Sequence, residues 1–177
     1  MNMAQAKQVE AGGSEPKIRV RLKPGREKQI LRGSAWVFSG AIEETDGAAP
    51  AGAPADVFDA AGEWLGRGLW HPDADMAVRM FTQDPRENLD EAFFRGRVRR
   101  AVEMRHRLFG KPTDWIATTA YRMAFSEADG LSGLIADQYA DVVALQVGGK
   151  VWEPWLPAVA DELKAATNAS AVAVRAD

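Results

Sequence analysis

The pattern of hydrophobic and polar positions predicts short strands in the first half of the chain and a long helix near its middle. Residues Lys17 to Leu22 alternate charged and aliphatic side chains, and a period of two predicts a strand with one buried face. We expect Ile18, Val20 and Leu22 to point into a core. The opposite face then carries three cations, which favours a position beside an anion or at a sheet edge.

Turn residues delimit the elements that follow this strand. Pro24-Gly25 breaks the strand, and residues Arg26 to Arg32 predict a two-turn helix that Gly33 can cap. A loop rich in Gly, Ala and Pro is expected over 46–54. These elements indicate a small β-barrel-like module that ends near residue 83. Its further strands are predicted at 36–38, 56–59, 64–70 and 76–81.

The strongest helical pattern runs from Asp90 to about Phe109, after a connector that begins at Asp84. Arg105 falls within its apolar stripe. Either the stem of this side chain snorkels so that the guanidinium reaches solvent, or Arg105 pairs with a buried carboxylate. We expect a pair with Glu127, Asp129 or Asp137. The stripe consists of Phe94, Val98, Ala101, Val102, Leu108 and Phe109, and the arginines of the opposite side are Arg95, Arg99, Arg100 and Arg107.

The residues after the long helix predict three strands, a helix and a last strand. The strands are expected at 120–126, 134–137 and 142–147, the helix at 154–166 and the last strand at 171–175. Asp129 to Gly133 lacks the spacing of a phosphate-binding loop and leads into a strand, so we interpret it as a tight turn. This order predicts a small α+β layer. The fold class is therefore α+β, with a small β-barrel followed by an α+β domain.

Composition restricts the chemistry that the chain can perform. The 177 residues include no cysteine and two histidines, which excludes disulfides, thiolate zinc sites and cysteine nucleophiles and disfavours a histidine metal site. Asp129, Asp137 and Asp141 offer acid–base groups, but no pattern brings them to one cleft. We predict no catalytic, cofactor-binding or metal-binding residue.

Targeting signals are missing from the sequence. No run approaches the roughly 20 apolar residues of a membrane helix. Residues 1–16 are polar and lack the pattern of a signal peptide, so they are expected to form a disordered leader. We therefore expect no membrane partner and a cytoplasmic location.

Charge is distributed unevenly along the chain. The net charge of −3 combines +3 for residues 17–111, −5 for residues 112–177 and −1 for the leader. Seven cations lie between Lys17 and Arg32, against Glu27 alone. Such a run is either a solvated face or a surface that meets an anion. If RNA is the anion, Lys23, Arg26, Lys28 and Arg32 would contact phosphates, which supplies affinity without sequence information.

Trp36 lies close to this basic run in the sequence. It could stack on a nucleic-acid base, or it could pack in the core. The sequence leaves both roles open.

Two motifs resemble a known family. Leu22 to Lys28 (LKPGREK), followed by Ile30 to Gly33 and Trp36 to Ile42, resembles the opening of the PUA domain in the bacterial 23S ribosomal RNA cytosine-5 methyltransferases. Ser126 to Tyr139 (SEADGLSGLIADQY) resembles the second signature of that family, in its linking α+β domain. The chain departs from the family pattern at Ser34-Ala35, where His-Pro is usual, and at Ser132, where Pro is usual.

The resemblance implies a PUA-like RNA-binding domain over residues 17–83 and an α+β linking domain over residues 84–177. In the family, a doubly wound (Rossmann-like) domain follows that binds S-adenosylmethionine and carries a catalytic cysteine. We expect that domain to be absent from this chain, which then binds no cofactor and is inactive alone. Its RNA-binding residues would be Lys23, Arg26, Lys28, Arg32 and Trp36.

The expected function is to bind RNA and position it for a methyltransferase. The partners implied are structured RNA of ribosomal origin and the methyltransferase domain that this chain is expected to lack. The alternative is a protein-interaction or scaffold module whose basic strand binds an acidic partner.

Overall fold

The computed structural model describes residues 18–110 and 119–176, so the predicted leader and Lys17 lie outside the described residues. The α+β fold class is confirmed. The first part contains strands β1 (Ile18–Leu22), β2 (Trp36–Phe38), β3 (Ile42–Asp46), β4 (Pro54–Phe58), β5 (Trp64–Trp70) and β6 (Met76–Thr82), with the short helix α1 (Glu27–Leu31). The second part contains the helices α2 (Glu91–Phe109) and α3 (Leu156–Thr167) and strands β7 (Ala120–Phe125), β8 (Leu134–Tyr139), β9 (Val142–Val147) and β10 (Ala171–Ala176).

The first six strands form one curled sheet, a half-barrel in the order β2-β6-β5-β4-β1-β3. Strands β1 and β4 are parallel, and the other pairs are antiparallel. Ile18, Val20 and Leu22 are fully buried, as their alternation predicts. The sequence did not predict β3, because the residues Ile42 to Asp46 are mostly exposed and polar and carry little hydrophobic alternation.

The position of β1 explains how the chain accommodates its cationic face. Because β1 lies between β3 and β4, it is not an edge strand. Arg21 forms an ion pair with Glu44 of β3 at 2.6 Å, and the Arg19 guanidinium lies 4.6 Å from the ring centroid of Phe58. Glu44 therefore supplies an anion for Arg21, while Arg19 meets an aromatic ring instead.

The second sheet has the order β10-β9-β8-β7 and is packed against α2 and α3. Asp90 caps the N-terminus of helix α2, and its carboxylate accepts a hydrogen bond from the Phe93 N–H at 2.8 Å. The apolar stripe of α2 is buried only from Phe94 to Val102. Leu108 and Phe109 are 66% and 54% exposed, so the expectation that they are buried is wrong. A helical wheel gives the side a residue faces, but not how far the neighbouring layer extends along the axis.

The two parts share an apolar interface. One core cluster lies within the half-barrel, whereas Leu69 of β5 and Phe81 of β6 belong to the larger cluster formed by α2, α3 and the second sheet. The Phe81 ring makes edge-on contacts with Phe94 at 5.3 Å and Trp152 at 5.5 Å between centroids. A hydrophobic interface of this kind restricts relative motion of the two parts.

Two polar contacts reinforce this interface. Arg67 pairs with Asp56 at 2.7 Å, with both side chains buried, and donates to Asn88 in the connector at 2.7 Å. The Trp155 indole donates to the carbonyl oxygen of Gly52 at 2.9 Å. Gly52 has a φ of +88°, and a Cβ there would lie 2.6 Å from the Val151 carbonyl oxygen, so this approach requires glycine.

Among the helices within residues 18–110 and 119–176, none is long and apolar enough to cross a membrane.

Candidate functional site

The four predicted phosphate-binding cations lie on the segment that links β1 to β2. Lys23 follows β1, and its Nζ donates to the carbonyl oxygen of Gly40 at 3.0 Å. Arg26 immediately precedes α1, Lys28 lies in the helix and Arg32 immediately follows it. All four residues are exposed. They are called the basic segment (Lys23, Arg26, Lys28 and Arg32) from here on.

Three cations of this segment have no carboxylate partner in the part of the chain that the structure describes. Within residues 18–110 and 119–176, no carboxylate pairs with Arg26, Lys28 or Arg32. Helix α1, which carries Lys28 and is flanked by Arg26 and Arg32, is fixed to the half-barrel by Ile30, which is 2% exposed. Exposed cations on a fixed support are suited to phosphate contacts.

Trp36 lies on the outward face of β2, which is an edge strand. Its side chain is 39% exposed and Phe38, two residues along the same face, is 46% exposed, whereas Val37 between them is buried. The core-packing role for Trp36 is therefore wrong. The two rings meet edge-on with centroids 6.4 Å apart.

A carboxylate from the second part of the chain fixes the Trp36 ring. The indole N–H donates to Glu127 Oε1 at 2.9 Å. Glu127 also accepts hydrogen bonds from Ser132 at 2.7 Å and from Ser126. Burial alone would raise the pKa of Glu127, but the hydrogen bonds from Ser126, Ser132 and Trp36 outweigh it and lower the pKa to about 2. Glu127 is therefore ionised at every physiological pH.

Arg79 provides a second link between the two parts. It stands opposite Trp36 in the β2–β6 register. Its guanidinium donates to the Gly148 carbonyl oxygen at 2.7 Å and to Ser132 at 3.3 Å. Burial lowers the pKa of Arg79, and the Glu127 charge opposes that shift. Trp36 and Arg79 thus join β2 and β6 to the second family signature.

These contacts border a cleft of about 240 Å³ between the α1–β2 loop, the end of β6 and the second signature. Ser34, Ala35 and Ser132, the positions at which the chain departs from the family pattern, all contribute to its wall. The Ser126–Gly133 turn therefore forms part of an interface between the two parts. The lining residues are Gly33, Ser34, Ala35, Met80, Phe81, Thr82, Gln83, Glu127, Gly130 and Ser132.

The arginines of α2, in contrast, are largely engaged by carboxylates. Arg99 donates to Glu162 of α3 at 3.0 Å, and Arg95 lies 3.6 Å from Asp161. Arg97 lies 3.8 Å from Glu87, and burial lowers the pKa of Arg97. These pairs link α2 to α3 and to the connector that precedes α2.

Arg105 forms the predicted buried pair, and its partner is Asp129. The guanidinium makes a two-pronged contact with the carboxylate, of which the Nη2–Oδ2 distance is 2.7 Å. The two side chains are 12% and 3% exposed. Asp129 also accepts from the backbone N–H of Phe125 at 2.6 Å. The pair therefore fixes the start of the second signature to α2.

The three aspartates considered for acid–base chemistry have separate partners. Asp129 pairs with Arg105, Asp137 pairs with Arg122 at 2.8 Å, and Asp141 accepts from Ser170 at 2.7 Å. None of the three lines the cleft. Among the described residues, no group of three or more His, Asp or Glu side chains is arranged to hold a metal ion.

The sequence reasoning missed Glu127 and Ser132 as candidate site residues, although both lie within the quoted second signature. It also missed Phe38, for which the period of two gives a signal because Trp36 and Phe38 share one face of β2. No pattern in the sequence signals that Glu127 and Trp36, 91 residues apart, form a hydrogen bond.

A family model described as a PUA-like domain matches residues 20–83. The chain is 38% identical over 161 residues to "Ribosomal RNA large subunit methyltransferase I" of Shewanella denitrificans, covering 90% of this chain and 40% of that protein. It is 37% identical over 134 residues to the protein of the same name from Escherichia coli O1:K1 / APEC, covering 73% of this chain and 32% of that protein. The chain thus spans about two fifths or less of the length of these relatives.

A solved structure supports the fold. The chain matches "A putative sam-dependent methyltransferase from Streptococcus mutans" with a TM-score of 0.73 at 14% identity, over 89% of this chain and 40% of that one. A putative methyltransferase complexed with SAH matches with the same score. The chain therefore contains a PUA-like domain and is homologous over most of its length to part of the ribosomal RNA large subunit methyltransferases I.

Proposed function

We propose that this chain is the RNA-binding and substrate-positioning portion of an S-adenosylmethionine-dependent ribosomal RNA cytosine-5 methyltransferase, and that it is not catalytic alone. The observation that carries the proposal is the basic segment, whose exposed cations Arg26, Lys28 and Arg32 have no carboxylate partner among the described residues. The homology to rRNA methyltransferases supports the choice of RNA as the anion. The proposed location is the cytoplasm.

The mechanism is electrostatic attachment to the RNA backbone. Lys23, Arg26, Lys28 and Arg32 contact phosphates, which supplies affinity and orientation without reading sequence. Trp36 adds stacking on an unpaired base. The PUA-like domain is proposed to span residues 17–83 and the linking domain residues 84–177. Because the two share the apolar contacts of Phe81, they carry the RNA as one body and so orient it towards a methyltransferase domain.

S-adenosylmethionine would be held by that other domain. The glycines of the second signature follow a 3-10 turn and lead into strand β8, whereas a phosphate- or nucleotide-binding glycine loop opens a helix. The chain also has no cysteine to attack a pyrimidine ring. We expect calorimetry of this chain with micromolar S-adenosylmethionine to give no saturable heat. A saturable signal would contradict the proposed division of roles.

The experiment that tests the function measures binding of the chain to a labelled hairpin of large-subunit ribosomal RNA by fluorescence anisotropy. The competitors are unlabelled RNA and polyglutamate of matched charge. We expect RNA to displace the probe and polyglutamate to do so only at much higher concentration. Failure to bind the hairpin would contradict the proposal, and equal competition by polyglutamate would favour the acidic-partner alternative.

A further inference from the structure

The two sheets have four edge strands in the part of the chain that the structure describes, and three of these strands carry features that protect an edge from pairing with another chain. Strand β2 is three residues long, β3 carries three carboxylates, and β7 contains a register irregularity opposite β8. Short length, charge and bulges are the usual devices by which soluble proteins keep an exposed edge from pairing. The carboxylates of β3 belong to Glu43, Glu44 and Asp46.

Strand β10 has none of these features. Its six residues pair in parallel with β9 in an unbroken register from Ala171 to Ala176, and they include no proline and a single charge, at Arg175. On its other side, β10 has no neighbouring strand among the residues that the structure describes. Ala173 and Val174 are exposed, the latter to 48%. The strand therefore presents an open and largely apolar edge to solvent.

The side chains of β10 make the strand complementary to a second copy of itself. An antiparallel pair centred on Ala173 places Val172 of one copy opposite Val174 of the other, and opposed β-branched residues stabilise neighbouring strands. Val172 already packs against the core of the second sheet, so the pair extends that core across the two copies and covers Val174. Arg175, the only charged residue of the strand, then lies opposite Ala171 and not opposite a second arginine.

Charge also favours the antiparallel arrangement. Asp141 lies beside the start of β10, where its carboxylate accepts a hydrogen bond from the Ser170 hydroxyl at 2.7 Å and its carbonyl oxygen accepts from the Ser170 N–H at 2.7 Å. Arg175 lies near the other end of the strand. Antiparallel pairing brings the Arg175 end of each copy to the Asp141 end of the other, so unlike charges approach at both ends. A parallel pair would instead bring the two copies of Arg175 together.

We propose that β10 is a self-association edge, at which two copies of this chain pair antiparallel about a two-fold axis at Ala173 and join their four-stranded sheets into one continuous sheet. The helices of both copies then cover the same face of the joined sheet, because a two-fold axis perpendicular to a sheet preserves its faces. A single pair of strands buries less surface than a standard protein interface, so we expect a dimer that dissociates at micromolar concentrations. This inference goes beyond the proposed function and does not depend on RNA.

The lack of cysteine in the chain allows a direct test of the contact and of its register. Ala173→Cys places one thiol at the proposed axis, where it meets the same thiol of the second copy. Ala171→Cys is the matched control, because it is also exposed and lies on the same face of β10, but its counterpart lies roughly 13 Å further along the strand, beyond the reach of a disulfide. We expect mild oxidation to convert Ala173→Cys largely to a covalent dimer on non-reducing gels and to leave Ala171→Cys largely monomeric.

Reversible association of the unmodified chain is measured by sedimentation velocity from low to high micromolar concentrations. We expect the average mass to rise from that of one chain towards that of two. Val174→Lys places a charge in the apolar pair and should abolish this rise. Ala120→Lys introduces the same side chain at an exposed position of β7, the opposite edge of the same sheet, and should leave the rise unchanged. Urea unfolding of both variants verifies that each is folded.

A chain that stays monomeric at every concentration would overturn the inference and would leave the edge to a strand of a different chain or domain. Equal crosslinking of Ala171→Cys and Ala173→Cys would also overturn it, because the proposed register brings only the second pair of thiols together. None of these measurements involves RNA. Failure of the dimer and failure of the proposed function are therefore distinguishable.

Discussion

The chain has two clusters of cations, the basic segment and the arginines of α2, and the structure gives them different surroundings. In α2, Arg95, Arg97 and Arg105 each lie within ion-pair distance of a carboxylate of the chain. In the basic segment, Arg26 and Lys28 are exposed and have no such partner among the described residues. A run of positive charge in a sequence therefore does not identify a binding surface until the partners of each cation are known.

The largest expected effect separates buried from exposed arginines within α2. Arg105→Ala leaves the carboxylate of Asp129, which is 3% exposed, without its partner. We expect a loss of about 3–5 kcal/mol in the free energy of unfolding. The matched control is Arg100→Ala at an exposed position of the same helix, which should stay within about 0.5 kcal/mol. Urea denaturation measures both, and equal midpoints would show that the pair contributes nothing.

A smaller effect is expected at Arg99, which the sequence alone places on the open polar side of α2. Its partner Glu162 has a side chain that is 12% exposed, so removal of Arg99 leaves a mostly buried acceptor with only the more distant Arg95 at 3.9 Å. Arg99→Ala should lower the urea midpoint, but by less than Arg105→Ala. A urea midpoint as high as that of Arg100→Ala would mean that the ion pairs between α2 and α3 do not stabilise the protein.

The smallest effect on stability is expected in the basic segment. Arg26→Ala and Lys28→Ala remove exposed side chains that contact no carboxylate of the described residues. Each should change the free energy of unfolding by no more than about 0.5 kcal/mol. A loss above 1 kcal/mol in thermal or urea unfolding would give these cations a structural role and weaken the contrast with α2.

Local patterns predicted most of the elements and one long-range pair. Strands β5 and β9 and helix α2 have the expected bounds to within a residue, because strong periodicity and clear turn residues mark them. The Arg105–Asp129 pair was predictable because a cation within an apolar stripe needs a partner, and the second signature offered a short list of carboxylates.

Other features depend on tertiary contacts that local patterns do not encode. Strand β3 is defined by its antiparallel pairing with β1, in which Glu44 lies opposite Arg21, and hydrophobic alternation gives no signal for it. Trp36 is exposed because it lies on the outward face of β2, whereas Val37 on the opposite face of the same strand is buried. The contact between Trp36 and Glu127 depends on how the half-barrel packs against the second part of the chain. The hydrophobic periodicity of a sequence carries no information about this packing.

The central claim, that the basic segment and not α2 carries the RNA, is tested most directly by the salt dependence of RNA affinity. The variant with Lys23, Arg26 and Arg32 all changed to Ala is compared with one in which the exposed cations Arg86, Arg100 and Arg107 are changed to Ala. Each phosphate neutralised contributes roughly −0.7 to −0.9 to the slope of log affinity against log salt. We predict that the first variant binds more weakly and flattens the slope by about 2 to 3, while the second keeps the wild-type slope. An unchanged slope in the first variant, or an equal flattening in the second, would contradict the account.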